Sequence, residues 1–311
     1  MSQIEHVAAA GLGAHIGPDG VRISYAGHDD WFGPAVLQRA GEPLTLGEGT
    51  AINGVDDLGQ WTATAWLGVG RITAGPNSSR LDASVCAYED EPILVFSLLA
   101  PVGIEADLAT GTFEEPSVAW PAFSPLDRAE NGVPEDAAAF GYQYMEFALP
   151  TSAGPNMEDW VRWPFRPPVM QPLMMVSERG TVMLAPLDQF PEQVIAVPKD
   201  AESVADGVRC GWHGDLESVP RGFGTELAVI AGADARECLD RWAAILCRRA
   251  GTKRLARGID RVGSKVSYWT DNGAAYWYRT EGGRDVTQTL EATLADLRDR
   301  DIPYDAVQLD S

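Results

Sequence analysis

Cysteine is scarce, with four in 311 residues. Cys86, Cys210, Cys238 and Cys247 form no CxxC pair, which argues against a disulfide scaffold and against the common zinc ribbons. Free thiols in a reducing compartment are the expectation, and the chain reads as cytoplasmic. The four histidines, His6, His15, His28 and His213, are scattered. None stands at i, i+4 from another or beside a cysteine cluster, so no metal centre is expected; His28-Asp29-Asp30 reads as a solvated turn before Trp31. Long apolar runs are missing too. No stretch approaches the ~18 residues of a membrane span, and Glu5 and His6 lead into Ala8-Ala9-Ala10 without the basic segment that opens a secretory leader. Basic residues are outnumbered, 24 against 45 acidic, for a formal charge of −21. Such a surface repels phosphate backbones and anionic lipid, so neither nucleic acid nor membrane is expected as a partner; otherwise the acidity serves solubility. GxSxG, Walker and HExxH motifs are absent. In Gly11-Leu12-Gly13-Ala14-His15-Ile16-Gly17 the third glycine falls one position late for a dinucleotide fingerprint and no strand is evident before the first, so the segment reads as a turn.

What is present, up to about residue 230, is a succession of short apolar runs broken by Gly, Pro, Asn and Asp. Leu81 to Tyr88 and Ile93 to Leu99 flank Glu89-Asp90-Glu91-Pro92 as a hairpin would. Further strands are predicted over Gly20 to Tyr25, Thr62 to Val69, Leu173 to Val176, Val182 to Ala185 and Gln193 to Val197. Many short strands without intervening helices imply an antiparallel β-sandwich, because two stacked sheets can bury so many half-apolar faces. Trp163-Pro164-Phe165-Arg166-Pro167-Pro168 reads as a long ordered loop. Of the ten tryptophans, those in this β-rich part are read as packing residues rather than ligand platforms.

The rhythm changes at Asp234. Asp234 and Glu237 have capping-box spacing, and Leu239, Trp242, Ala243 and Leu246 give one apolar stripe that puts Trp242 in the core, ending at Arg248, Arg249 and Gly251. Cys238 and Cys247, nine residues apart on this helix, point to opposite sides and should not bridge. Next, Val266 to Trp269 reads as a strand. Asp285 and Gln288 suggest a second capping box before a helix with Val286, Leu290, Leu294 and Leu297 on its apolar face, and Asp305 to Asp310 reads as another strand. Strand, helix and strand make a βαβ unit, whose strands must run parallel. One such unit cannot cover both faces of its sheet, so the expectation is a truncated chain, with domains at 1–233 (β-sandwich), 234–262 (helical linker) and 263–311 (the start of a larger parallel structure).

Tyr268-Trp269-Thr270-Asp271-Asn272-Gly273-Ala274-Ala275-Tyr276-Trp277-Tyr278 follows directly on the first of these strands. It falls on the C-terminal rim, where (β/α)8 barrels place their chemistry. Asp271 and Asn272 bring hydrogen-bonding groups suited to hydroxyls, and Trp269, Tyr276 and Trp277 bring flat faces. The competing reading is a capped tight turn at Asp271-Asn272-Gly273. Asp310 ends the second strand at the same rim.

The order of a long β-sandwich, a linking helix, Tyr268-Trp269-Thr270-Asp271-Asn272-Gly273 and then Val307-Gln308-Leu309-Asp310-Ser311 resembles the retaining α-glycosidases related to α-galactosidases, raffinose synthases and α-glucosidases. The resemblance implies a β-supersandwich ahead of an incomplete catalytic (β/α)8 barrel. It makes Asp310 the second-strand aspartate that binds sugar hydroxyls and puts Trp269 and Asp271 at the sugar pocket; with Asn272 and Trp277 from the same segment these are the expected substrate-binding residues. Leu309-Asp310-Ser311 departs from the paired aspartates before glycine and tryptophan that are common there. In that family the nucleophile and acid/base lie on later strands, beyond Ser311, so this stretch would be an inactive N-terminal fragment of a glycoside hydrolase. The implied partner is a carbohydrate substrate, the implied chemistry needs no cofactor and no metal, and a homo-oligomer is left open. The alternative is a non-catalytic carbohydrate-binding or scaffolding protein.

Overall fold

The structure, a computed structural model, describes residues 4–70, 80–113, 115–124, 134, 136–143, 150–153, 169–197, 207–256, 258–259, 265–270 and 280–309. The chain divides into two compact units, Met1–Gly251 and Thr252–Ser311.

The first unit is built from antiparallel strands. One layer runs in hydrogen-bonded order through Thr50–Asp56, Gly59–Val69, Leu81–Tyr88, Ile93–Ala100, Phe223–Gly232, Gly180–Pro186, Val169–Ser177, Ala138–Gln143 and Pro150–Ala153. A second runs through Gln193–Ala196, Val208–Trp212, Val118–Phe123, Ala35–Arg39, Gly20–Ser24, Gly13–Gly17 and Ile4–Val7, with Glu42–Leu44 folded back on Ala35–Arg39. Among the described residues, a single register pair, Val169 with Ile195, links the two by direct pairing between strands. Side chains join them across the core. Trp120 Nε1 donates to the Ser84 carbonyl and Trp212 Nε1 to Thr225 Oγ1, both at 2.9 Å, and Phe96 packs edge-on against Trp120 and Phe123.

Alternation explains the strand sequences. In Ile93–Ala100 the even-numbered Leu94, Phe96, Leu98 and Ala100 enter the core between the layers, while Ile93 and Val95 enter a second cluster on the opposite face. A strand covered on both faces reads as a nearly unbroken apolar run, and this one does. The cover is the helix Ala235–Arg249, which lays Cys238 and Ile245, with the half-buried Leu239, Trp242 and Leu246, over Met183, Ala228 and Ile230. The β-sandwich and the helix therefore stand as the sequence implied, and the four cysteines are free thiols.

Four expectations need correction. The glycine-rich opening is a 3-10 turn at Ala9–Gly11, preceded by the strand Ile4–Val7 and followed by the strand Gly13–Gly17, whose hairpin pairing with Gly20–Ser24 outweighs its glycines. Asp30 is not solvated: it is 8 % exposed and pairs with Arg22. At the first helix the Asp234 side chain accepts from the Glu237 N–H, but Glu237 Oε2 accepts from the Ala233 N–H, not from Asp234, so the box is closed one residue early. The face buried most deeply is centred on Cys238 and Ile245 rather than on Leu239 and Leu246, and Trp242 is half-buried, donating to the Pro186 carbonyl at 2.9 Å.

The second unit holds strand Ser267–Trp269, helix Val286–Asp299 and strand Ala306–Gln308, and its two strands pair in parallel. Asp285 and Gln288 form a complete capping box. Thr289 is the buried residue of this helix and Val286 is 66 % exposed, so the apolar face begins one turn later than the sequence suggested.

Candidate functional site

In the parallel pair, Ser267 stands opposite Ala306, Tyr268 opposite Val307 and Trp269 opposite Gln308. The ladder continues at its C-terminal end through the Thr270 N–H, which donates to the Gln308 carbonyl at 3.2 Å, and is closed at the other end by the Asp305 N–H donating to the Val266 carbonyl at 2.9 Å. The helix between the strands is tied locally at both ends. Thr289 Oγ1 accepts from the Glu281 N–H at 3.1 Å, and after the helix Arg298 Nε donates to the Tyr304 hydroxyl at 3.0 Å. A capped helix and a short return thus bring two strand ends side by side.

Trp269 ends the first strand with 42 % of its surface exposed. In the first unit Trp31, Trp66, Trp120 and Trp212 are all at most 3 % exposed. Large aromatic side chains usually bury most of their area, so an open indole at a strand end is available to a ligand where the core indoles are not. Of the other residues named from the sequence, Asp271, Asn272, Trp277 and Asp310 lie outside the described residues, as does the Pro-rich segment 163–168.

The first unit carries a separate group of titratable side chains, which sequence reasoning missed. Asp188 Oδ1 accepts from the Glu226 N–H at 2.9 Å and from Gln193 Nε2 at 3.1 Å, while Glu226 pairs with Arg249 at the end of the first helix. Burial, against the favourable bond from the Glu226 N–H, pushes the Asp188 carboxyl up to about 6. Tyr88 donates to Asp56 at 2.7 Å, and its phenol is raised by burial and by that carboxylate. Desolvation pushes the thiols of Cys86 and Cys238 up to about 12 and raises that of Cys210 as well. Thiols held protonated are poor nucleophiles and poor metal ligands. Among the described residues no group of three or more His, Cys, Asp or Glu side chains could hold a metal ion, and no described helix is long and apolar enough to cross a membrane.

No protein-family model and no curated protein matches the sequence. A solved structure, that of the ligand-free α-N-acetylgalactosaminidase NagBb from Bifidobacterium bifidum, is similar to it with a TM-score of 0.45 and 8 % identity. The similarity covers 100 % of this chain and 51 % of that one, so the chain spans about half the length of the enzyme it resembles.

Proposed function

We propose that this chain is the N-terminal part of a retaining glycoside hydrolase acting on α-linked sugars, with domains at 1–233, 234–262 and 263–311 and with the last of these opening a catalytic (β/α)8 barrel. The observation that carries the reading is a parallel strand–helix–strand unit after an antiparallel sandwich, with an exposed tryptophan at the C-terminal end of its first strand. That end is where barrels assemble their sites. Ser267 pairs with Ala306 and Trp269 with Gln308, and Asp271 and Asp310 follow two residues later in the sequence. Val266 and Leu309, which flank the two paired strands, are 55 % and 59 % exposed, and Val307 within them is only half-buried. Apolar side chains on a parallel sheet are ordinarily covered on both faces, which further barrel strands and helices would provide.

On this reading Trp269 and Trp277 stack on a pyranose, and Asp271, Asn272 and Asp310 bind its hydroxyls. The reaction itself needs two carboxyls about 5 Å apart on later strands, one forming a glycosyl ester and the other protonating the leaving oxygen. Hence the 311-residue chain should not turn over aryl α-galactosides or α-glucosides. In the full-length protein, Asp310→Asn should lower kcat/KM roughly ten- to a few hundredfold, the loss of one charge-assisted bond to a hydroxyl. Unchanged kinetics in both Asp310→Asn and Asp271→Asn would rule the rim out as the substrate site.

A further inference from the structure

Three neighbouring strands of the first unit bring a glutamate, a histidine and a serine into line. Glu5 stands directly opposite His15, and Gly13 opposite Ser24. Because His15 is two residues from Gly13, all three side chains project from one face of the sheet. Ser24 Oγ lies 2.7 Å from His15 Nε2, and Glu5 Oε1 lies 3.8 Å from His15 Nδ1. One ring nitrogen thus faces a hydroxyl and the other a carboxylate. Gly13 keeps this arrangement open: a Cβ at that position would sit 2.5 Å from Ser24 Oγ and 3.1 Å from His15 Nε2. The His15 side chain is 22 % exposed and that of Glu5 57 %, so the group is reachable from solvent.

We propose that Ser24, His15 and Glu5 form a nucleophilic acyl-transfer centre for small activated acyl compounds, separate from the rim and independent of the glycosidase reading. A serine hydroxyl is a weak nucleophile until a base takes its proton, and a base is most effective when a third group fixes its tautomer. With the proton on Nδ1, the nitrogen that Glu5 approaches, Nε2 is free to accept from Ser24. As Ser24 Oγ bonds to the acyl carbon, its proton passes to Nε2. The ester C–O bond then breaks, the leaving alkoxide takes that proton, and water restores the serine by the same route in reverse. Ser24 and His15 touch the reacting atoms, and Glu5 is a positioning residue. Arg22, opposite His15 in the ladder, is engaged by Asp19 and Asp30. The developing oxyanion is therefore left largely to water, turnover is slow, and acylation is best read covalently.

The test is labelling with an alkyl fluorophosphonate, in which Ser24 Oγ displaces fluoride from phosphorus and His15 takes the proton. Peptide mapping should find Ser24 labelled at least tenfold faster than any other serine. Ser24→Ala should abolish that label, and His15→Ala should slow it at least tenfold. Glu5→Gln should slow it severalfold while Glu5→Asp keeps most of the rate. Circular dichroism of each variant separates lost reactivity from lost fold. Ser24 labelled no faster than other serines in the folded protein, or equally fast in a folded His15→Ala variant, would overturn the proposal.

Discussion

Asp188 shows how one side chain makes stability depend on pH. Its carboxyl is largely removed from water beside Glu226 and Arg249, and its affinity for a proton rises from the ordinary 3.8 to about 6. A group whose folded-state value is raised contributes stability that is full below the unfolded value and is lost as pH climbs through the folded one. The window is therefore about pH 4 to 6, and the effect is worth at most about 3 kcal/mol. Asp188→Asn keeps a carbonyl to accept from Glu226 and Gln193 but has no charge to desolvate. The variant should match the parent protein in urea unfolding at pH 4 and exceed it by about 2 kcal/mol at pH 8. Equal stability at both pH values would mean that solvent reaches this carboxylate. Nothing in the sequence marked Asp188, because its partners come from positions 193, 226 and 249. The Glu5, His15 and Ser24 alignment was hidden for a related reason: it rests on a hairpin register that the reading of Gly11 to Gly17 as a turn had removed.

Elements were legible where burial is one-sided or complete, and illegible where it is neither. The hairpin Leu81–Tyr88 with Ile93–Ala100 was readable because its apolar runs face two cores. Thr50–Asp56 was not, since most of its side chains are exposed and its place is fixed by pairing with Gly59–Val69. The first helix shows the intermediate case. Its existence followed from periodicity, but its apolar arc is wide enough to dock in more than one rotation, and the sheet selected Cys238 and Ile245 for the deepest positions. Of the named rim residues, only Trp269 falls where its surroundings are described, and it is 42 % exposed. Two changes test this helix. Asp234→Ala removes the acceptor for the Glu237 N–H and should cost about 1 kcal/mol, as loss of an N-cap does. Ile245→Ala opens the second cluster and should cost about 2–5 kcal/mol. Denaturant unfolding followed by tryptophan fluorescence would measure both, and a smaller loss for Ile245→Ala than for Asp234→Ala would refute the packing described.

At the scale of the molecule, burial is unevenly distributed. Every residue of both hydrophobic clusters belongs to the unit ending at Gly251. In the second unit Thr289 is the one fully buried residue among those described. The described residues of this unit bury too little apolar surface to offset the entropy of ordering them. Residues 1–251 produced alone should fold cooperatively with a Tm within a few degrees of the 311-residue chain, whereas residues 252–311 alone should give the far-UV dichroism of an unfolded peptide. Loss of cooperative melting in the shorter protein would show that its core had been misassigned.

The strand Phe223–Gly232 carries a consequence for the chain during its synthesis. It is the hydrogen-bonding neighbour of Ile93–Ala100, with Ser97 opposite Glu226, 129 residues later. At translation rates of 5 to 20 residues per second, this gap leaves the edge of Ile93–Ala100 without its partner for roughly 6 to 26 s. For that interval an apolar strand presents open backbone donors and acceptors to any other extended segment, including those of neighbouring nascent chains. Yield in the cell should therefore depend on translation speed and on chaperones that hold such edges, even for variants whose finished structure is fully stable.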